Sequence, residues 1–598
     1  MANDSSDDDD EHVIIVGIDF GTTFSGASFA HSREPEEIQV ISRWESKLNL
    51  NSDKEKAPSA ILFPGKRGTV SWGYGIPPNA KQEPMRWFKL LLVDEKDLPN
   101  KVKDSPQIAA ARKMVEEENK DPVEVISAYL TRFWDHAVEC IITSHGQDFV
   151  DMCRLQVVIT LPAIWPDYAK ARMRRAVEGA GILKERPAGE TTLSFISEPE
   201  AAALATVRDL KKRPNISVGD HIIVCDAGGG TVDLISYEIL SMEPFVVREA
   251  VEGDGELCGG VFLDEAFIEL IKTKVTPEAW ANVPKNEAKK LLNDDWENGI
   301  KTGFYGQSDK FSFGLPSECR VPGTSKRGVK RKQNLVLSRD DLLTVFDPII
   351  DQTAELVQKQ IGAVLKKTDK KPKKIILVGG FGRCIYLRTR LQDIIGKGIE
   401  ILQGSGNKPW SAISRGAVIS GLTARNLAPG LSVGIASRIS RRSYGIRYST
   451  PFKFGVHDPK DKYWCTNEHK WKARDQMEWF LEQGTDVSIV DPVNHSFYRL
   501  LETTPKKVSE TIYATSAWPV PATFNKEVDE LCTITWTKKI DLKSLKRYTS
   551  PTGKVFRRLE FNVEMTCSGS SVDFAVLQDG NQVGAQNVSV IFKTEEDD

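Results

Sequence analysis

Apolar positions fall into two regimes along the chain. From Val13 to about Leu422, short runs rich in Val and Ile alternate with stretches whose apolar residues recur every third or fourth position. The short runs are Val13–Ile18, Leu155–Thr160, Ile222–Asp226 and Lys374–Val378. Continuous apolar runs of this length predict strands buried on both faces. The helical spacing predicts helices over Val123–Ile142, Asp167–Ala180, Glu200–Lys211, Asp264–Lys274 and Asp340–Leu365. Alternation of this kind predicts an α/β domain. After Asn426–Gly430 (NLAPG) the pattern changes. Strand-like runs dominate at Gly445–Tyr448, Val487–Val490, Ser496–Leu501, Thr511–Ala514, Cys532–Thr537, Arg558–Cys567, Val572–Gln578 and Val588–Phe592. Gly, Pro, Asn and Asp punctuate them, which predicts an all-β domain.

The expected organisation is therefore an acidic tail over residues 1–12, an α/β domain over 13–428 and a β-rich domain over 429–598. A chain of 598 residues is too long for one core. Its 40% hydrophobic and 27% charged content fits globular domains and excludes a fibrous or disordered chain. A net charge of −3 supplies no global field to recruit nucleic acid or an anionic membrane. No apolar run approaches the roughly 18 residues of a membrane span. The start, MANDSSDDDDEH, lacks the basic and apolar regions of a signal peptide. Nine cysteines, scattered singly without a C-x-x-C pair, read as free thiols of the cytosol or nucleus. Ser325–Lys332 (SKRGVKRK) fits a solvated loop better than a nuclear-localisation signal.

Candidate chemistry lies in an internal quasi-repeat. Val16–Gly26 reads VGIDFGTTFSG and Val224–Asp233 reads VCDAGGGTVD. Each copy sets an Asp at the end of a buried run, then small residues and Thr, then a second apolar run. Glycines let backbone N–H groups cradle phosphate oxygens. Thr hydroxyls add neutral donors, and an Asp can hold magnesium through its water shell. Two such hairpins facing across a cleft could grip a triphosphate. No G-x-x-x-x-G-K-[ST] occurs, and Gly404–Pro409 (GSGNKP) lacks the final Ser/Thr, which argues against a P-loop. Ile375–Arg383 (IILVGGFGR) runs a strand into a Gly pair, with Arg383 placed to stack on a base. In Phe195–Ala203 (FISEPEAAA), Glu198 and Glu200 open a helix; for Glu200 a dipole-compatible helix start is the preferred reading.

In this order the four segments resemble the phosphate-1, connect-1, phosphate-2 and adenosine motifs of the actin-like ATPases, and within them the 70-kDa heat-shock chaperone family. Gly253–Asp264 (GDGELCGGVFLD) resembles a turn of the same family. Departures elsewhere are similar to a divergent branch, the heat shock 70 kDa protein 12-like proteins. The resemblance implies a two-lobed actin-like (ribonuclease H-like) ATPase domain that uses ATP and Mg2+. It implies that Asp19 and Asp226 orient the metal. Gly21, Thr22, Thr23, Gly228, Gly229, Gly230 and Thr231 then cradle phosphates. Lys89, Glu198, Asp226 and Asp233 are implied to carry catalysis, Glu198 and Asp233 by positioning the attacking water or its proton. Gly379, Gly380 and Arg383 would hold the nucleoside, with Glu297 and Lys301 clamping adenine and ribose. Glu297 and Lys301 also read as a solvated i,i+4 pair. Phe381 and Trp410 replace smaller or acidic family residues, which predicts a more aromatic base pocket.

The β-rich part fits the family loosely. Leu431–Ile446 stands at the linker without the usual leucine run, and the aromatic-rich Phe452–Trp479 reads as an insertion that either fills the core or offers a partner surface. His457, Cys465 and His469 within it read as loop residues rather than a metal site. No helical lid is expected after the strands. The implied function is an ATP-dependent chaperone-like protein that binds protein clients, with possible co-chaperones. A regulatory scaffold with one specific partner is the alternative, and a carbohydrate kinase on the same fold is a weaker third.

Overall fold

The computed structural model describes residues 12–46, 54–64, 69–98, 100–162, 165–210, 216–307, 310–316, 318–319, 334–404, 406, 408–427, 433–488, 491–505, 507–536, 540–568 and 571–587. The basic segment Ser325–Lys332 and the expected strand Val588–Phe592 lie outside them. The chain divides into two compact units: one of Met1–Trp165 with Arg172–Gly434, the other of Pro166–Ala171 with Ile435–Asp598.

The first unit is built on two sheets of matching plan. In one, β1 (Val13–Phe20) and β2 (Phe24–His31) form an antiparallel hairpin. β3 (Gln39–Val40) and β4 (Ala57–Pro58) pair with β2. β5 (Arg154–Leu161) and β6 (Thr192–Ser197) run parallel to β1, giving the order β3-β2-β1-β5-β6. In the other, β7 (His221–Ala227) and β8 (Val232–Met242) form the hairpin. β9 (Phe245–Glu256) extends it, while β10 (Lys374–Val378) and β11 (Glu400–Gln403) lie parallel on the far side of β7. The sheet thus contains the order β11-β10-β7-β8-β9. The quasi-repeat of the sequence is this repeated hairpin. β1, β7 and β10 are buried along their whole length, as their unbroken apolar runs require.

Helices follow their local signals. α1 (Pro122–His145) starts at a capping box between Asp121 and Glu124, with Pro at its first position. α3 (Glu198–Leu210) begins two residues before the predicted Glu200, directly on β6; α2 (Asp167–Gly179) lies between β5 and β6. α4 (Gly260–Val275) begins four residues before the predicted Asp264, because its first amides have partners outside the helix. Gly259, Gly260 and Val261 donate to the carbonyls of Gly230, Gly228 and Gly229 at 3.1, 3.0 and 2.9 Å. α5 (Arg339–Thr368) is capped by Ser338 and Asp341, and α6 (Lys408–Ala424) is buried along most of its length. In the core beneath α4, Phe267 stacks on Trp296 at 4.0 Å.

The second unit is a sandwich of two antiparallel sheets. One contains β12 (Ser443–Pro451), β13 (Lys462–Cys465), β14 (Lys470–Leu481), β16 (Ser509–Thr515) and β17 (Asp529–Thr535), in the order β13-β14-β12-β16-β17. The other contains β15 (Val493–Leu501), β19 (Val555–Ser568), β20 (Ser571–Gln578) and β21 (Asn581–Asn587) in that order, with β18 (Lys546–Thr549) beside β19. Ile446, Phe480, Ile512, Ile534, Leu559 and Val576 from both sheets share one core. Among the described residues no α-helix follows Ala424. The aromatic segment Phe452–Trp479 contributes β13 and most of β14 to the first sheet. Its aromatics divide between the two alternatives: Trp479 packs, partly buried, against Met477, Tyr513 and Val528, whereas Trp464 and Trp471 face each other across β13 and β14 on an exposed surface. His457, Cys465 and His469 form no metal-ligating group among the described residues.

Candidate active site

The two hairpin loops face each other within the first unit. A Cβ built on Gly229 would lie 1.9 Å from the Thr23 hydroxyl, so the approach requires glycine. Around this contact opens a cleft of about 1230 Å³, counting its mouth. It is lined by Asp19, Gly21, Thr22, Thr23, Glu198, Asp226, Gly228, Gly229, Gly230, Thr231, Glu297, Lys301, Gly379, Gly380 and Arg383. Lys89 and Asp233 stand behind that lining.

Asp19 and Asp226 occupy equivalent places near the ends of β1 and β7, 1% and 4% exposed. Asp233 pairs with Asp226 across the β7–β8 register. Glu198 is the first residue of α3 and accepts a 2.5 Å bond from Lys89. Lys89 sits in a 3-10 turn, Phe88–Leu92, which begins after Trp87 in the left-handed region (φ 65°). Its ammonium also lies 5.4 Å from the Trp165 ring and 5.7 Å from the Phe20 ring. The lysine is thus a buried residue of the site rather than a snorkelling surface group.

Burial dominates the electrostatics. It pushes the Asp226 carboxyl well above its ordinary value, helped by the nearby charges of Glu198 and Asp233. Asp233 is raised to about 7, by burial first and Glu198 second. Burial raises Glu198 as well, against the opposing pull of Lys89. Four carboxylates, Asp19, Glu198, Asp226 and Asp233, gather around two ammoniums, Lys56 and Lys89. Asp226 Oδ1 is buried and has no hydrogen-bond partner. An acidic excess with an orphaned buried oxygen fits a hydrated magnesium ion at Asp226. Asp19 fits it less well, because Lys56 Nζ already lies 2.5 Å from Asp19 Oδ2.

At the far end of the cleft, Lys301 donates to Asp264 Oδ1 at 2.7 Å and to Glu297 Oε2 at 2.8 Å. Trp296 Nε1 donates to the same Asp264 oxygen. Lys301 is 8% exposed, so the solvated-pair reading of Glu297 and Lys301 does not hold. Glu297 lies in Leu291–Ile300, which is π-helical, a form often found at functional sites, and Lys301 follows it directly. Burial acts against the Lys301 charge, but its two carboxylates outweigh burial and raise it. Burial alone would raise Glu297; Lys301 reverses that and lowers it, while Asp264 stays raised by burial. Gly380 lies beside the Trp410 indole, and the Arg383 guanidinium sits 5.4 Å over the Trp410 ring. Phe24 meets Trp410 edge-on, which makes this end aromatic.

Lys56, Trp87 and Asp264 line the cleft without having been singled out as site residues from the sequence. Of these, Asp264 was within reach, since it ends the Gly253–Asp264 turn.

Two β-hairpins repeated on two sheets, with their loops meeting over buried aspartates, define an actin-like nucleotide-binding domain followed by a β-rich region. A family model described as Hsp70 protein matches residues 81–425, and the chain belongs to this family. A domain of unknown function (DUF8568) matches residues 438–591. The chain is similar to heat shock 70 kDa protein 12A of Mus musculus, 26% identical over 84% of this chain and 80% of that one. It is similar to heat shock 70 kDa protein 12B of Homo sapiens, 24% identical over 81% and 78%. Chaperone protein DnaK of Thermoplasma volcanium is 28% identical over 68% of this chain and 58% of its own length.

Proposed function

We propose that the chain binds ATP in the cleft, hydrolyses it, and couples nucleotide state to the binding of protein clients. The observation that carries the reading is the meeting of the Thr23 and Gly229 loops above Asp226, with Glu198 and Lys89 beside them. Loop amides and the Thr22, Thr23 and Thr231 hydroxyls bind phosphate oxygens. Glu198 and Asp233 hold proton acceptors near the attacking water; burial raises both, and it brings Asp233 to about 7, close to neutral pH, where a base works best. Lys89, fixed by Glu198, contributes preorganised positive charge. Magnesium, held through water by Asp226, would neutralise charge developing on the phosphates. Gly379, Gly380, Arg383, Glu297 and Lys301 orient the nucleoside. Nucleotide state then shifts the protein between forms of different client affinity.

The test is phosphate release alongside suppression of aggregation of unrelated unfolded proteins, each with and without ATP. Release together with ATP-sensitive suppression supports the reading; ATP binding with neither effect removes it. One observation favours a regulatory scaffold instead: Trp464, Trp471 and Phe454 lie exposed on or beside the β13–β14 hairpin, as in a surface for one specific partner. Under that reading ATP binds, and unrelated unfolded proteins are not protected.

A further inference from the structure

Lys56 is a cation of the phosphate site that the proposed mechanism leaves unused. It is 6% exposed, lines the cleft and pairs with Asp19 at 2.5 Å. Three features hold it there. β4, which follows Lys56 directly, pairs with β2 through Ser25–Ala57 and Phe24–Pro58. Ser59 donates its amide to Thr23 O at 2.8 Å and its hydroxyl to Gly21 O at 2.6 Å, tying the same segment to the first phosphate loop. The lysine stem then crosses Gly26, which stands opposite Asp19 in the β1–β2 register. A Cβ at Gly26 would come within 2.8 Å of Lys56 Cγ, so the absence of a side chain there is what admits the stem.

An ammonium carries three N–H donors, and Asp19 takes one of them. The others are available to phosphate oxygens. The pair also neutralises Asp19, removing one of two carboxylates that would attract a divalent cation, and it places a like charge beside any such cation. Asp226, by contrast, keeps an unpartnered oxygen. We propose that Lys56 is a resident cation of the phosphate site, neutralising Asp19 and donating to the nucleotide's phosphates, so that nucleotide binding by this chain does not depend on a divalent cation. This rests on the nucleotide reading of the cleft.

The experiment is titration of the full chain with a fluorescent ATP analogue, in excess magnesium and in EDTA, for the wild type, Lys56→Thr, Lys56→Arg and Gly26→Ala. The ratio of the two dissociation constants is taken within each protein, so an unfolded fraction cancels. The wild-type and Lys56→Arg ratios are expected within about threefold, a fraction of the 1.4 kcal/mol that tenfold represents. Lys56→Thr, and Gly26→Ala by displacing the stem, are expected to bind more than about tenfold more weakly in EDTA. A wild type that loses more than about tenfold in EDTA, with Lys56→Thr showing the same ratio, overturns the inference and leaves the nucleotide site standing. Absence of binding under every condition overturns the nucleotide reading and this inference with it.

Discussion

Lys89 and Glu198 form a 2.5 Å ion pair whose side chains are 1% and 9% exposed, joining the turn after Trp87 to the first residue of α3. Neither charge has a comparable partner in bulk water, so each is held in place by the other. Lys89 acts as a preorganised charge, and Lys89→Ala should lower single-turnover phosphate release by about 10²–10³ while nucleotide still binds. Quenched-flow phosphate release beside an equilibrium titration checks this. Wild-type release from the variant removes Lys89 from catalysis.

Asp233 makes folding stability depend on pH. Its folded pKa of about 7 lies above the ordinary carboxyl value. Between roughly pH 4 and pH 7 the folded protein therefore keeps a proton that the unfolded chain has released. The Asp233 contribution to stability accordingly falls as pH rises through that window and levels off above it; buried Glu198 and Asp226 act with the same sign over their own ranges. Asp233→Asn removes one such group. In denaturant melts without nucleotide, the variant should gain roughly 1–4 kcal/mol on the wild type between about pH 5 and about pH 8. Parallel pH profiles would contradict the burial argument.

Lys301 and Arg383 should fail in different ways. Lys301→Ala leaves Asp264 and Glu297 without their shared cation, and should cost roughly 1–3 kcal/mol of stability. Arg383 rests over Trp410, so Arg383→Ala should leave the melting temperature unchanged and weaken adenine-nucleotide binding by about 0.5–2 kcal/mol. Thermal melts and titrations of both variants separate the two. Equal, undiminished affinities would take Arg383 out of the base site.

What could be read from the residues was what is local. The unbroken apolar runs of β1, β7 and β10, the apolar spacing of α1 and α5 and the two Asp-to-Thr loops all carry their structure in a few adjacent residues. Lys56 was not legible because its place is set by β4 pairing with β2 and by the bare backbone of Gly26, both remote in sequence. The burial of Lys301 was hidden for a similar reason. An i,i+4 spacing is the same on a solvated helix and on one whose lysine also meets Asp264, a residue of α4. The strands within Phe452–Trp479 were not legible because exposed Trp464 and Trp471 on an edge hairpin blur the inside–outside alternation of a strand.

The proposed ATP site depends on two phosphate loops meeting at Gly229 and Thr23. Gly229→Ala forces a Cβ against the Thr23 hydroxyl, where only 1.9 Å is available. The most direct measurement is calorimetric titration of ATP into the full chain and into Gly229→Ala, with melts showing that both are folded. Saturable binding is expected for the wild type, and a loss of about tenfold or more in the variant, equivalent to 1.4 kcal/mol. Saturable binding that is unchanged in folded Gly229→Ala, or no binding to the wild type, would contradict the proposed site.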